Sequence, residues 1–178
     1  VRMLDSTEVQ SREGKEIVHQ VSLVTARARV APTKPRQSVS RLELCGCIIA
    51  VRLALSVAMS LNCAHENIYY WTDSTNCLNW INTSPTEIKT FVANRVGEIQ
   101  DFTRREQWGH VKTKHNPADI PTRSSDTKEK SEEDRLAEQK LWLHGAPWLS
   151  GPKTVKGDDG WPDPFPGTKQ LTNDEYKA

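Results

Sequence analysis

Apolar residues recur in two distinct rhythms along the first two thirds of the chain. Between Ile17 and Val30 the alternation is every second residue: Val21, Leu23 and Thr25 share one face, while Val24, Ala26, Ala28 and Val30 share the other. Both faces are partly apolar, which predicts a covered strand. A shorter apolar piece, Val1 to Leu4, precedes it across a polar, Gly-containing stretch from Asp5 to Glu16, so the two predict a hairpin. Ala31-Pro32-Thr33-Lys34-Pro35 stops the strand, because proline has no N–H to donate and biases its predecessor towards extended geometry.

The rhythm then changes to steps of three and four. Leu44, Ile48, Val51, Leu55 and Met59 mark a long helix, which Ser40-Arg41-Leu42-Glu43 would open as a Ser-x-x-Glu capping box. Its other face carries Cys45, Ile49 and Leu53, which predicts cover on more than one side. Asn67 to Thr72 is a short run dense in Ile, Tyr and Trp that ends in Asp73-Ser74, where a second helix to Ile81 can begin. After the break at Thr83-Ser84-Pro85, Ile88, Phe91, Val92, Val96 and Ile99 predict a third helix over 88–102, and Gln107 to Thr113 a further strand. Asn116-Pro117-Ala118-Asp119 has the form of an N-cap, a proline at the first helical position and an acid in the first turn. Hairpin, helix, strand, helix, helix, strand, helix predicts an α/β fold, a mixed sheet with helices on its faces. Such sheets place their sites beyond the carboxyl ends of parallel strands.

Composition divides the chain further. A length of 178 residues suits one domain, or one domain with a tail. The 36% hydrophobic content and mean hydropathy of −0.65 are low for a packed globule, so part of the chain is expected outside any core. We place the domain at 1–123, a charged helix and Trp-containing connector (Leu141-Trp142-Leu143-His144-Gly145-Ala146-Pro147-Trp148-Leu149) at 124–150, and a disordered, proline-bearing tail at 151–178. No run of about 18 apolar residues exists and the Val1 end lacks both Met and a signal pattern, so neither a membrane nor a secreted reading is supported. A start at Val1 also predicts a piece of something longer. The four cysteines, Cys45, Cys47, Cys63 and Cys77, form no C-x-x-C pair, and buried free thiols are expected.

Charge is uneven. Residues 1–123 carry 16 Lys/Arg against 12 Asp/Glu, net +4, and residues 124–178 carry 8 against 11, net −3. Arg27, Arg29, Lys34, Arg36 and Arg41 fall within fifteen residues that contain no acid, a stretch suited to phosphates and equally to a solvated loop.

Three carboxylates share a context: Glu43 early in the first helix, Asp73 at the end of a buried strand, and Asp119 in the first turn of the last core helix. Each could cap a helix, meeting orphan N–H groups and the positive end of the dipole. Each could also face one site. Phosphodiester hydrolysis gives a reason to collect acids, because two Mg²⁺ ions about 4 Å apart can activate water and stabilise the departing oxygen when carboxylates gather them. No Ser/His/Asp motif, P-loop or dinucleotide fingerprint competes, and His65, His110 and His115 have no metal spacing with cysteine and are expected at surface or turn positions.

The blocks RLELCGCIIAVRLA, YYWTDSTNCLNWI, KTFVANRVGEIQ and WGHVKTKHNPADIPTR resemble the ribonuclease H-type domain of Bel/Pao retrotransposon polyproteins, a region also described as the Pao retrotransposon peptidase family. The resemblance runs from about Val21 to Arg123 and continues weakly through LWLHGAPWL. It implies a ribonuclease H-like mixed sheet flanked by helices. It also implies a two-metal site for Mg²⁺, or Mn²⁺, in which Glu43, Asp73 and Asp119 are catalytic metal ligands that cut RNA in an RNA/DNA hybrid. A further aspartate of that family lies on a first strand within a D-A-S-like block; no such block exists here, so the sheet is expected to lack its first strand and the site to be impaired. Hybrid contacts are expected at Arg27, Lys34, Arg36, Arg41, Asn76 and Trp80. The implied partners are the hybrid and the reverse transcriptase and integrase segments of the same polyprotein, with no membrane, inside the cell in cytoplasm, virus-like particle or nucleus. Aspartic proteolysis is not expected, since Asp73-Ser74-Thr75 lacks the glycine of a D-S-G or D-T-G turn and has no second copy. The alternative to a nuclease is a non-catalytic module that binds nucleic acid or connects polyprotein segments, with Glu43 and Asp119 serving as caps.

Overall fold

Beginning at its amino end, the chain forms an antiparallel hairpin of two ten-residue strands, β1 (Arg2–Ser11) and β2 (Gly14–Leu23), in register from Arg2↔Leu23 to Ser11↔Gly14. This computed structural model describes residues 1–11, 14–122 and 131–150, with the backbone alone at 7–11, 14–19 and 122. The tail expected at 151–178 and the whole stretch 123–130 lie outside the described residues. The hairpin differs from expectation at both ends. Asp5 to Ser11 is strand rather than loop, because a ladder needs only backbone groups and tolerates polar side chains. Beyond Leu23 the predicted strand gives way to irregular chain: Val24 and Thr25 both donate to the single carbonyl of Val1, at 3.0 and 3.3 Å, and Val24 to Val30 have no regular structure.

Residues 1–26 and 111–150 form one compact unit, and 27–110 form a second. In the first, α4 (Glu132–His144) opens on Ser131, whose Oγ accepts from Asp134 N at 3.1 Å, with Glu132, Glu133 and Asp134 complementing the dipole. None of its residues is fully buried, though Leu141 and Trp142 are half-buried, and polar bonds help to attach it. The Arg2 guanidinium donates to the carbonyls of Trp142 (2.7 Å) and Leu141 (3.4 Å), satisfying acceptors at the helix end, and His144 Nδ1 meets Val21 O at 3.3 Å. Burial lowers the Arg2 pKa from its usual value. Gly145 ends α4 at φ +78°, where a Cβ would stand 2.6 Å from Leu149 Cδ1. Ala146 and Trp148 are buried. The Trp-containing segment therefore packs with the hairpin.

The second unit is built around α1 (Val39–Leu61), which packs on α2 (Thr75–Ile81) and α3 (Thr90–Phe102). Leu44, Cys47, Ile48, Val51, Ala54 and Ala58 of α1 meet a core completed by Leu78, Trp80, Ile81, Ile88, Val92, Val96 and Ile99. By length and composition α1 would also pass for a membrane span, which the interrupted apolar run did not suggest; a third of its most apolar window (33%) is buried in this core. Arg52 and Glu98 pair across α1 and α3 at 2.6 and 2.9 Å, but on the surface, where such pairs contribute little.

Beside the helices, β3 (Tyr70–Thr72) and β4 (Trp108–His110) run parallel, joined by the crossover through α2 and α3 that parallel strands need. Tyr70 and Trp108 stack at 4.8 Å, and Trp108 Nε1 donates to Thr103 Oγ1 at 2.9 Å. Buried Gln107 donates to the carbonyls of His65 and Ile68 at 2.9 and 2.8 Å, tying the entrances of the two strands. The expected single mixed sheet is not formed among the described residues; hydrogen bonding makes two separate two-stranded sheets, one antiparallel and one parallel. The last expected helix is a 3-10 segment over Pro117–Thr122, containing Pro121, which cannot donate within an α-helix.

Candidate functional site

The first turn of α1 departs from the predicted capping box. Ser38, not Ser40, is the N-cap, and its Oγ accepts from Arg41 N at 3.4 Å. The helix therefore starts two residues earlier, and Glu43 stands past the first turn, which contains no acid. Capping does not explain Glu43, since the orphan N–H groups lie behind it. A corresponding shift occurs at α2, where Ser74 is the N-cap, its Oγ accepting from Cys77 N at 3.3 Å. Asp73 is thereby released from capping. Both carboxylates are half-buried.

Polar contacts join the two helix starts. Asn76 Nδ2 donates to Ser40 Oγ at 2.9 Å, and Cys77 Sγ donates to Ser40 O at 3.7 Å. The Cys77 thiol is pushed far above the usual range by its hydrogen bond with the Cys47 thiol, then by burial, with the nearby Glu43 charge adding to the effect. Cys45, Cys47, Cys63 and Cys77 are all free thiols; Cys47 and Cys77 are buried as expected, whereas Cys45 is half-buried and Cys63 exposed. Within this unit the structure thus brings the start of α1, one turn before Glu43, against the start of α2, which follows Asp73 in the chain.

Asp73 sits at the carboxyl end of β3, as a site acid of a parallel sheet should. Its peptide link to Ser74 is held at both ends: Ser74 N donates to Thr72 Oγ1 at 3.1 Å, and His110 Nε2 lies 3.3 Å from Asp73 O. His110 closes β4, directly opposite Thr72 in the ladder. The sequence pattern assigned it no more than a surface or turn position; the register of the parallel pair, invisible in periodicity, gives it a partner.

Asp119 belongs to the other unit, in the 3-10 segment after Asn116. Asn116 organises that turn, accepting from Ala118 N at 3.1 Å and donating from Nδ2 to Asp119 Oδ1 at 3.3 Å. Among the described residues, no three His, Cys, Asp or Glu side chains gather as a metal-holding group. The donor chemistry of Glu43 and Asp73 nevertheless suits a hard divalent cation, since both offer carboxylate oxygens.

The expected hybrid-binding residues fare unequally. Arg27, Lys34 and Arg36 are exposed on the irregular stretch before α1. Arg41 is half-buried, its guanidinium 4.6 Å from the centre of the Phe91 ring, with Arg95 over the same ring at 3.5 Å. Phe91 and Arg95 were not expected there; α3 packs against the start of α1 and brings a cation–π cluster with it. Asn76 is half-buried and engaged by Ser40. Trp80, on the same short helix as Asn76, is only 1% exposed and belongs to the core rather than to an open surface.

Residues 9–74 match the family model described as the Pao retrotransposon-like RNaseH-like domain. The match agrees with the resemblance found in the motifs and includes both Glu43 and Asp73. No curated protein and no solved structure matches the chain.

Proposed function

We propose that this chain is a ribonuclease H-like nuclease domain of a Pao-type retrotransposon polyprotein, acting on the RNA strand of RNA/DNA hybrids. The observation that carries the reading is the pair of half-buried carboxylates, Glu43 and Asp73, neither used as a helix cap, one near the start of α1 and the other just before α2, within the stretch that matches the family. In this reading Glu43 and Asp73 would offer carboxylate oxygens to Mg²⁺, for which Mn²⁺ can substitute, and Asp119 is the third acid that the resemblance implies. Such ions supply an activated water and charge stabilisation for the departing oxygen. The protein's own part is positional: β3 and α1 present oxygens, and the Ser40–Asn76 bond holds the two helix starts together. Arg27, Lys34, Arg36 and Arg41 would meet phosphates, reading shape and backbone rather than base identity.

Three carboxylates carry at most three negative charges against the four positive charges of two such ions. Full activity is therefore proposed to need one more acid, the aspartate expected on a further strand of the sheet. The parallel pair here is three residues per strand, short for a sheet that carries a site, which favours an additional strand. The working context is a polyprotein that also holds reverse transcriptase and integrase segments, inside the cell.

The test is cleavage of a labelled RNA/DNA hybrid in Mg²⁺ by residues 1–178, with and without an upstream strand bearing an aspartate. The extended chain should cut and the shorter one should be nearly inactive, with Asp73→Asn abolishing cleavage in the extended chain. Robust cutting by residues 1–178, lost in Asp73→Asn, would contradict the need for another acid. Binding of the hybrid without cleavage in either form would favour the non-catalytic module.

A further inference from the structure

The geometry points to Thr72 and His110 as a clamp that positions Asp73, an inference that rests on the proposed role of Asp73 as a metal ligand. The N–H of Ser74 and the C=O of Asp73 belong to one peptide group. Thr72 Oγ1 holds its hydrogen end at 3.1 Å and His110 Nε2 its oxygen end at 3.3 Å. The two clamping residues are register partners in the parallel ladder, so the sheet itself sets the span between them. A peptide plane is rigid, and holding it at both ends restrains the soft torsions on either side, ψ of Asp73 and φ of Ser74. The direction of the Asp73 Cα–Cβ bond follows, and with it the place its carboxylate can reach.

The chemistry of the bond is one-directional. A carbonyl oxygen only accepts, so the contact requires hydrogen on Nε2 of His110 and, in the neutral ring, leaves the lone pair on Nδ1. Thr72 is 8% exposed, so water competes little for its hydroxyl. Groups that orient a metal ligand without touching the metal commonly change affinity by about 10- to 100-fold when removed. His110 and Thr72 therefore act through Asp73 as positioning residues.

The experiment is an Mn²⁺ titration of the ¹⁵N-labelled chain, followed by broadening of the Asp73 and Ser74 amide signals. Asp73→Asn should abolish the broadening. His110→Ala and Thr72→Val should each weaken Mn²⁺ binding about 10-fold, whereas His110→Gln and Thr72→Ser, which restore a donor and an acceptor, should stay within about 2-fold of the parent. Rescue by the second pair separates positioning from packing, and Thr72→Val with His110→Gln still decides the matter if His110→Ala does not fold. The clamp is overturned if the alanine and valine variants bind as the parent does while Asp73→Asn does not bind. An Asp73→Asn chain that binds Mn²⁺ unchanged would instead overturn the ligand role of Asp73. The ring ¹⁵N spectrum then judges the clamp alone: an Nε2–H tautomer of His110 supports it, and an Nδ1–H tautomer refutes it.

Discussion

Gln107 offers a direct measure of how strongly the two short parallel strands are held together, and Gln107→Leu is the perturbation. The side chain is 8% exposed and makes three bonds: Nε2 to His65 O at 2.9 Å and to Ile68 O at 2.8 Å, and Oε1 from Arg104 N at 2.8 Å. At about 1 kcal/mol net for each, their loss costs about 3 kcal/mol. Leucine is similar in size and recovers about 1 kcal/mol through its apolar carbons, leaving a net destabilisation of about 2 kcal/mol. Urea unfolding followed by tryptophan fluorescence and circular dichroism reads this as a midpoint lower by about 1 M, given slopes of about 1–3 kcal/mol per molar. Glu106→Gln, one residue away and exposed, is the control and should stay within about 0.5 kcal/mol of the parent. If the midpoints of the two variants coincide, Gln107 does not fasten the entrances of β3 and β4.

Trp80→Phe should leave hybrid affinity unchanged and stability equal or slightly raised, because Nε1 of Trp80 is buried without a hydrogen-bond partner; a marked loss of binding would return Trp80 to the interface. Burial pushes the Tyr70 hydroxyl up to about 12 from 10.0, so the folded state favours the neutral phenol. That stabilisation is complete below about pH 10 and is lost as pH rises through about 12, a decline of about 2–3 kcal/mol that alkaline denaturation should show and Tyr70→Phe should remove. Replacing Lys34, Arg36 and Arg41 together should weaken hybrid binding uniformly across sequences and reduce the salt slope by about 2 to 3 in fluorescence anisotropy titrations; an unchanged slope would move the interface elsewhere.

The helices of the second unit were legible in the sequence because a 3.6-residue rhythm is a local property. Leu44, Ile48 and Val51 marked α1, and Val92, Val96 and Ile99 marked α3, on the faces that are buried. Asp73 was legible too, since an acid directly after an apolar strand can be seen without knowing the strand's neighbours. Helix starts were less so: Ser38 and Ser40 are equally plausible caps by type, and only backbone geometry chose Ser38, which altered the role open to Glu43. Trp80 shows a related limit, because periodicity names the faces of a short helix but not which of them a second helix will cover.

Tertiary structure alone decided the pairings. Strand register depends on backbone groups far apart in sequence, so nothing local set His110 opposite Thr72, or Gln107 against His65 and Ile68. Polar attachment escaped for the same reason: Arg2 meets the end of α4 across about 140 residues, and neither partner carries a pattern that announces the other. Apolar periodicity records which side chains leave water, whereas hydrogen-bond partners are chosen only when the chain has folded and each buried donor must find an acceptor.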